Sequence, residues 1–445
     1  MEYKIGNIFK GDKVIWMVFL FLALISIVEV FSASSNLTYK SKNFIMPFIK
    51  HSGTMVLGFF VILVTMNIPC RLFKYFTTIL LPLSIILLVA VLFVGDTHYE
   101  ATRQLTILGW SVQPSEIAKG TLILTVALIL SSLQREKGAD PAAFKYILYV
   151  TVPIAFLIMI ENLSTAALLC FVVFLMMIIG RVPWKQVGAL VGIVGTCVVL
   201  LLVAILLIGK EEEEDAEGSK KPAVEIVAGV DAEKQDTGKK GRGGIFHRAD
   251  TWKSRILKFA KEEKPIPKDF DLDKNGQVGH ANIAIVSSGY IGVGPGNSVE
   301  RDFLAHAFDD FIFAIIIEEL GLVGAFIVVM LYMTILFRTA VIARRCENSF
   351  PAFLAMGLAL MLVVQALFNM CVAVGLVPVT GQPLPLISKG GSSTVINCAY
   401  IGVILSISRT AMKRTSTPEL VPAVDITGEV SEDVESQYTY ADEQL

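Results

Sequence analysis

Ionisable residues stand at the ends of long apolar stretches in this chain, where they could pair with one another or bind an anion. Asp310 begins the apolar run DFIFAIIIEELG and follows the glycine-rich run SSGYIGVGPGNS. A carboxylate at the boundary between water and hydrocarbon is costly to keep, so we interpret Asp310 as a functional residue. The adjacent Asp309 has a simpler interpretation, because one of the two side chains could cap the helix that follows.

The run QPSEIAK holds three polar residues at the start of the fourth apolar stretch. Glu116 and Lys119 are three positions apart, which places them on one face of a helix, where they can form an ion pair. Pro114 suits the first turn of that helix. We interpret Gln113, Glu116 and Lys119 as candidate site residues; the alternative is an ordinary helix start with a stabilising pair.

Two further polar groups lie beside or within apolar stretches. The run IENLSTAAL indicates a tight turn that carries Glu161 and Asn162, either as part of a site or as the polar tip of a helical hairpin. Glu318 and Glu319 lie deeper in the apolar run after Asp310. They cannot face lipid cheaply, so we expect polar or basic partners for them within the bundle. For this pair, a structural hydrogen-bond network is as good an interpretation as a catalytic role.

The segment NMCVAVGLVPVTGQPLPLISKGGSST is dense in proline and glycine, which predicts a defined loop rather than a random one. Just before or at its start, Gln365 and Asn369 are four positions apart and can bond across helices. Lys389, Ser392 and Ser393 place a cation and hydroxyl donors at a helix start, an arrangement that suits an anion such as phosphate. The alternative is a packed connector with a helix cap.

Transmembrane helices are the elements predicted to position these residues. The chain has 445 residues, 54% of them hydrophobic, and a mean hydropathy of +0.65, which is too apolar for a soluble globular domain. A span needs about 20 apolar residues, so we predict an all-α polytopic membrane protein with ten spans. The predicted spans are residues 14–33, 53–68, 75–94, 117–133, 145–160, 163–180, 186–208, 310–337, 352–375 and 392–408. The first is not predicted to be a cleavable signal peptide.

Basic residues are unevenly distributed among the short loops between these spans. Few of them fall on the side that carries Asp310: Lys40, Lys42, Lys50, Arg103 and Lys389. Far more fall on the other side, together with the termini. Because basic residues accumulate in cytoplasmic loops, both termini are predicted to be cytoplasmic and Asp310 to face outward.

The predicted organisation has four parts. They are residues 1–208 with spans one to seven, residues 209–309 as one large extracytoplasmic loop, residues 310–411 with spans eight to ten, and residues 412–445 as a disordered cytoplasmic tail. Within the loop, residues 209–244 form a charged linker and residues 245–309 a membrane-proximal part. In that second part FHRADTWKSRILKFA could form an amphipathic helix. The glycine-broken residues 281–298 are predicted to be re-entrant or packed in protein.

Disulfides and metal sites are not predicted. The six cysteines lie in or beside spans, and the five histidines show no metal-ligand spacing. The run DLDKNG matches the opening of a calcium loop, but the twelfth position is Asn282, where a glutamate is expected.

Four runs, in this order on ten spans, resemble the SEDS family (shape, elongation, division and sporulation): QPSEIAK, GVGPGNS, DFIFAIIIEELG and VPVTGQPLPLISKGGSS. The resemblance covers nearly all of the membrane part, and it is greater to the division branch of the family than to the elongation branch. It implies a SEDS-type fold and a peptidoglycan glycosyltransferase. Such an enzyme polymerises lipid II, a disaccharide-pentapeptide on undecaprenyl diphosphate, at the outer face of the cytoplasmic membrane. Asp309 and Lys389 depart from the family pattern, which has threonine and an aromatic residue there.

The resemblance also assigns roles to residues. The family's essential loop aspartate matches Asp310, which would deprotonate the acceptor 4-hydroxyl in a single inverting displacement. The residues that would bind substrate are Arg103, Gln113, Glu116, Lys119, Lys389, Ser392 and Ser393. The supporting residues would be Glu161, Asn162, Asn297, Glu318 and Glu319. Either the cations Arg103, Lys119 and Lys389 or a divalent ion (Mg²⁺ or Mn²⁺) would hold the diphosphate.

The expected partners are lipid II, a class B penicillin-binding protein transpeptidase and other divisome proteins, with no nucleic acid. The expected location is the inner (cytoplasmic) membrane, as a multi-pass protein. Three alternatives remain open on the sequence: an elongation-type polymerase, a lipid-linked precursor flippase or other transporter, and a non-catalytic scaffold. Against the transporter, the pattern shows no paired broken helices, and the polar clusters lie near the outer ends of the spans.

Overall fold

The computed structural model describes residues 10–33, 46–94, 96–98, 101–107, 110–208, 276–304 and 307–415 of the chain. The predicted charged linker at 209–244 and the predicted amphipathic helix after it lie outside the described residues, as does the tail from residue 416.

Helices dominate the described part, which confirms the predicted class. Their bounds are α1 Lys13–Ala33, α2 Met46–Met66, α3 Cys70–Val94, α4 Pro114–Ser132, α5 Pro141–Glu161, α6 Leu163–Ile179, α7 Trp184–Ile208, α8 Gly276–Ser287, α9 Ile312–Arg344, α10 Ser349–Ala373 and α11 Gly391–Thr415. A short 3₁₀ helix covers Glu300–Asp302.

Each of the ten predicted spans coincides with one of these helices. Within the described residues, eight helices are long and apolar enough to cross a membrane, and α6 is apolar but shorter. The number ten therefore stays a prediction. Several boundaries differ from the sequence-based expectation; α2 and α3, for example, begin at Met46 and Cys70 rather than at residues 53 and 75. Helix α9 continues to Arg344, past residue 337, and α11 continues to Thr415, past the boundary placed at residue 412.

Two small antiparallel sheets, which the all-helical prediction did not include, lie in the loops. Strands β1 Asp96–His98, β2 Ala101–Ile107 and β3 Trp110–Val112 form a sheet between α3 and α4, with β2 in the centre. Strands β4 Gln134–Arg135 and β5 Gly138–Ala139 form a hairpin between α4 and α5. The two-residue alternation of such short strands is hard to detect in the sequence, because long apolar stretches lie on either side.

The core of the bundle forms around α4, α9, α10 and α11. Helix α10 packs against α9, α4, α6 and α11, while α11 packs closely against α2. Gly357 shows why α10 approaches its neighbours so closely. A Cβ there would lie 2.7 Å from Ile123 on α4 and 2.8 Å from Met176 on α6. Small residues at such crossings allow helix backbones to pack without voids.

Helix α9 is broken at Gly321, whose φ is 70°. The glycine-rich loop after α8 crosses the break, and a Cβ on Gly321 would lie 2.3 Å from the carbonyl oxygen of Tyr290. The carbonyl oxygens of Glu318 and Glu319 accept hydrogen bonds across it, from the Val293 N–H at 3.0 Å and the Gly294 N–H at 2.9 Å. The irregular backbone is thus satisfied within the protein, as expected for a packed segment.

Candidate functional site

Several helix ends meet at one end of the bundle, which we call the site end. Helices α4, α6, α9 and α11 begin there and α10 ends there. The segment between α10 and α11, residues 374–390, which we call the connector, links these ends through the hydrogen bonds described below. Residue 386 in the connector is a buried leucine with a φ of 67°, a left-handed conformation that persists only where the surroundings enforce it. This segment is therefore the defined loop that its composition predicts.

A buried ion pair lies at the start of α4. The ammonium of Lys119 donates to Glu116 Oε1 at 2.7 Å and to Gln365 Oε1 on α10 at 2.9 Å, and the Lys119 side chain is fully buried. The phenolic hydroxyl of Tyr400 donates to the backbone carbonyl of Glu116 at 2.9 Å. The pairing expected from the spacing of Glu116 and Lys119 is confirmed, and both charges are removed from water.

This ion pair is joined to the connector. Gln365, which accepts from Lys119, donates through Nε2 to the carbonyl oxygen of Pro383 at 3.1 Å. One turn further along α10, Asn369 donates to the carbonyl oxygen of Gln382 at 2.7 Å and to that of Asp310 at 2.8 Å. A continuous set of hydrogen bonds therefore runs from the buried pair, through α10 and the connector, to the backbone of Asp310.

The connector also holds the residues before Asp310. The Ser388 hydroxyl donates to the carbonyl oxygen of Asp309 at 2.6 Å, and the Lys389 N–H donates to that of Phe308 at 3.0 Å. The Lys389 ammonium lies 4.8 Å from the centre of the Phe308 ring, a cation–π contact. The backbone of the turn before α9 is thus fixed by three separate contacts with α10 and the connector, through Asp310, Asp309 and Phe308.

Charges of both signs face one another at this turn. Burial, and then the Asp310 carboxylate, raise the pKa of Asp309 from 3.8 to about 7, although Lys389 acts in the opposite direction. Burial lowers the pKa of Lys389; Asp309 raises it, and Lys50 on α2 lowers it further. A carboxyl with a raised pKa can hold a proton close to neutral pH, and the nearby cations can attract an anion.

The remaining predicted residues at the site end have different surroundings. The N–H of Gln113 donates to the hydroxyl of Ser392 at 3.2 Å, so the starts of α4 and α11 are in contact. Ser393 is buried beside Gly390, where a Cβ would lie 2.1 Å from its hydroxyl. Arg103 lies in strand β2, and its side chain is outside the described part of the structure.

Asn162 is a helix cap in the structure. Its Oδ1 accepts from the N–H groups of Ser164 at 3.0 Å and Thr165 at 3.4 Å. The Thr165 hydroxyl in turn accepts from Gln382 Nε2 of the connector at 2.6 Å. Glu161, the last residue of α5, is buried beside it. The turn is therefore joined to the connector through Thr165, while the amide oxygen of Asn162 is used for the cap.

Glu318 and Glu319 belong to a second cluster, which lies around the glycine-rich loop after α8. The Glu319 carboxylate accepts from the Gly296 N–H at 3.0 Å and from the Ser32 hydroxyl on α1. The Glu318 carboxylate accepts from the Val299 N–H at 2.9 Å and from the Ser298 hydroxyl. The polar partners expected for this pair are confirmed, and these contacts fasten the glycine-rich loop to α9.

Arg301 and Asn297 complete this loop. The Arg301 guanidinium donates to the Ser32 hydroxyl at 2.9 Å and to the carbonyl oxygen of Gly296 at 2.7 Å. Asn297 is exposed and donates to the carbonyl oxygen of Val293 at 3.1 Å.

Sequence reasoning missed some of these charged residues. Lys50 is not among the predicted site residues, although a rare cation on that side of the membrane is itself a signal. Glu29, fully buried on α1 beside Glu319, was not considered. An ionisable residue inside an apolar run is a signal that could have found it.

No metal centre is evident in the part of the chain that the structure describes. Among these residues, no group of three His, Cys, Asp or Glu side chains is placed to hold an ion.

A family model described as cell cycle protein, FtsW/RodA/SpoVE, matches residues 12–211 and 245–413. Among curated proteins, the chain is 28% identical over 404 residues to the probable peptidoglycan glycosyltransferase FtsW of Coxiella burnetii, covering 88% of this chain and 95% of that protein. It is also 28% identical over 420 residues to the protein of the same name from Geobacter metallireducens, covering 93% and 98%.

Solved structures share the fold. One is a chain from work on the structural coordination of polymerization and crosslinking by a peptidoglycan synthase complex. It matches with a TM-score of 0.65 at 22% identity over 90% of this chain and 98% of that one. The rod shape determining protein RodA of Thermus thermophilus matches with a TM-score of 0.57 at 20% identity, covering 91% and 99%.

Breaking the buried ion pair should destabilise the protein strongly. We expect Lys119→Met to cost about 3–5 kcal/mol, because it leaves the Glu116 carboxylate buried without its cation. The double variant Glu116→Gln/Lys119→Met should cost less than this single variant. Denaturant unfolding in detergent measures both. Arg135→Met is the matched control, since Arg135 pairs with Asp140 at an exposed position and should cost about 0–1 kcal/mol. If the losses of stability from Glu116→Gln and Lys119→Met were simply additive in the double variant, this would contradict the coupling of the two residues.

Asp309 should make stability depend on pH. Its pKa is raised from 3.8 to about 7 in the folded protein, so the folded state binds more protons than the unfolded state between these values. Its contribution to stability is therefore present in acid and is lost as the pH rises through about 7. Between about pH 5 and pH 8, the melting temperature of the wild type should fall by about 2 °C or more beyond the fall seen for Asp309→Asn. Parallel curves for the two proteins would contradict this.

Proposed function

The chain belongs to the FtsW/RodA/SpoVE family of cell cycle proteins, and we propose that it is a peptidoglycan glycosyltransferase of the division type. It polymerises lipid II into glycan strands at the outer face of the cytoplasmic membrane. Two relatives of nearly the same length are named as probable enzymes of this kind. The observation that carries the proposal is the turn at Asp309 and Asp310, held by the connector beside Lys389 and joined to the buried pair of α4.

Asp310 is the general base in this proposal. Its carboxylate takes the proton of the acceptor sugar 4-hydroxyl as that oxygen attacks the anomeric carbon of the donor. The bond from the anomeric carbon to the diphosphate oxygen breaks, and undecaprenyl diphosphate leaves with the electron pair. A β product from an α-linked donor needs one inversion and therefore one base, with no covalent intermediate.

The neighbouring charges support this step. Asp309 has a raised pKa and holds a proton more readily than an ordinary aspartate, because it is buried and lies beside the Asp310 carboxylate. Lys389 and Lys50 lie on the same side, and Lys389 is placed to attract the diphosphate as it takes up charge. Arg103, at the start of the segment that leads into α4, is proposed as a further diphosphate ligand.

Glu116 and Lys119 take positioning roles in this mechanism. The fully buried ammonium of Lys119 is occupied by Glu116 and Gln365. Glu116 Oε2 is buried and has no hydrogen-bond partner among the described residues, so this carboxylate depends on Lys119 for its stabilisation. Gln113, Ser392 and Ser393, at the adjoining helix starts, are proposed to bind the sugar or its diphosphate, and Glu161, Asn162, Asn297, Glu318 and Glu319 to support the loops.

The membrane supplies part of the binding site in this proposal. A polyprenyl tail needs an apolar surface open to the bilayer, and the spans offer one without a built pocket. The protein would lie in the inner membrane, with both termini in the cytoplasm. A single-pass class B penicillin-binding protein is the proposed partner, with other division proteins. The fold shared with a chain of a peptidoglycan synthase complex supports this partner.

A lipid-linked precursor flippase is the second candidate, and one observation favours it. The break at Gly321 within α9 is the kind of discontinuity that transporters use at their binding sites. The loop after α8 fills this break, however, and its carbonyl groups are bonded to protein rather than lining a cavity. Lipid II supplied in detergent separates the two activities, because no membrane has to be crossed before glycan strands lengthen.

Replacing Asp310 should abolish polymerisation. We expect Asp310→Asn to lower the initial rate of glycan formation from purified lipid II by about 100-fold or more, because the amide cannot accept the proton. The rate is measured in detergent with and without the candidate transpeptidase. The matched control is Asp309→Asn at the adjacent position, which should lose less than about tenfold.

Two results would overturn the assignment of the base. A normal rate for Asp310→Asn would remove the base role from this residue. A greater loss in Asp309→Asn than in Asp310→Asn would move the role to Asp309. If the protein formed glycan strands with a transpeptidase of the elongation machinery and not with one of the division machinery, the protein would belong to the elongation branch. The proposed chemistry would be unchanged.

A further inference from the structure

A cavity of about 670 Å³ lies at the end of the bundle opposite the site end. The β4–β5 hairpin, between α4 and α5, forms one wall. The turn between α6 and α7 forms the other, with Arg181 and Trp184. None of the residues described at the site end lines this cavity, so the cavity is a separate feature of the protein.

Positive charge dominates the lining. Arg135, Lys137 and Arg181 contribute three cations, and the lining contains no carboxylate. Arg135 forms an ion pair with Asp140, but Lys137 and Arg181 are exposed and form no ion pair within the described part of the chain. Two cations are therefore free to bind an anion that enters the cavity.

Backbone contacts hold the two walls together. The Ala139 N–H donates to the carbonyl oxygen of Arg181 at 3.2 Å, and a Cβ on Gly138 would lie 2.7 Å from that oxygen. Arg181 itself has a φ of 55°, a left-handed conformation that an arginine adopts only where its surroundings enforce it. The backbone of Arg181 is thus fixed beside the cavity, while its side chain is exposed.

The side of the cavity formed by α6 and α7 continues onto an apolar, exposed surface. Ile178 and Val187 line the cavity, and the exposed side chains nearby include Trp184, which is 73% exposed. Ile179 and Val191 are also exposed, on the sides of α6 and α7. In a membrane protein such surfaces face acyl chains, and tryptophan is typical of the level of the lipid headgroups.

We propose that this cavity binds the phosphate of an anionic phospholipid headgroup, with the acyl chains lying against α6 and α7. The cations of the cavity and the apolar surface beside it match the two parts of a lipid, whereas a soluble anion would use only the cations. Basic pockets between spans on the cytoplasmic side are suited to such headgroups. The basic residues of the loops predict that this end faces the cytoplasm.

Lipid retention by the purified full-length protein tests the proposal. The protein is exchanged from mixed micelles that contain phosphatidylglycerol or phosphatidylcholine, and retained lipid is counted by native mass spectrometry. The wild type should retain phosphatidylglycerol in preference to phosphatidylcholine. Lys137→Gln/Arg181→Gln should weaken this retention by about 30-fold, since each cation near an anionic headgroup contributes about fivefold.

The matched control removes two other exposed arginines at the same end of the bundle. Arg344→Gln/Arg345→Gln should retain phosphatidylglycerol within about twofold of the wild type, with melting curves that show all three proteins folded. Equal losses in the two double variants would overturn the proposal, and so would equal retention of the two lipids. Binding of inorganic phosphate at Lys137 and Arg181 without any retained phospholipid would assign the cavity to a soluble anion and overturn the lipid assignment.

Discussion

Polar groups within the bundle depend on partners in the protein, because hydrocarbon offers none. Asn369 meets this requirement for the carbonyl oxygens of Asp310 and Gln382 together, and Ser388 does so for Asp309. These bonds join the end of α10 to the turn before α9. The constraint that makes a loop at membrane depth expensive is thus also what gives the candidate catalytic turn a single geometry.

The two charged clusters of the protein illustrate different uses of buried carboxylates. Glu318 and Glu319 accept from backbone N–H groups and from serine hydroxyls, so their charge is used to fasten the glycine-rich loop beside the break at Gly321. Asp309 and Asp310 instead adjoin each other; Lys389 lies beside Asp309, and Lys50 lies beside Lys389. Carboxyls that repel each other beside cations are suited to proton transfer, whereas carboxylates enclosed by donors are suited to structure.

Local patterns in the sequence predicted the helices and the short-range pairs. The apolar stretches locate every long helix but not α8, and the spacing of Glu116 and Lys119 predicts their ion pair. Contacts between distant segments could not be read in this way. Gln365 reaches Lys119 across 246 positions, and Gln382 reaches Thr165 across 217. The course of the connector decides these contacts, and neither periodicity nor composition specifies it. Asn162 shows a related limit, because its residue type suits a cap and a site equally.

The most direct test of this account is the rate of Asn369→Leu, which keeps the size of the side chain but removes both donors that hold the Asp310 backbone to the connector. We expect folded protein whose initial rate of lipid II polymerisation is about 10- to 100-fold lower, because small displacements of a base are costly. Gln186→Leu removes a similar hydrogen bond, from the side-chain amide of Gln186 to the carbonyl oxygen of Pro141 at the opposite end of the bundle. This variant should keep the normal rate. A normal rate for folded Asn369→Leu would contradict the claim that the connector positions the catalytic turn.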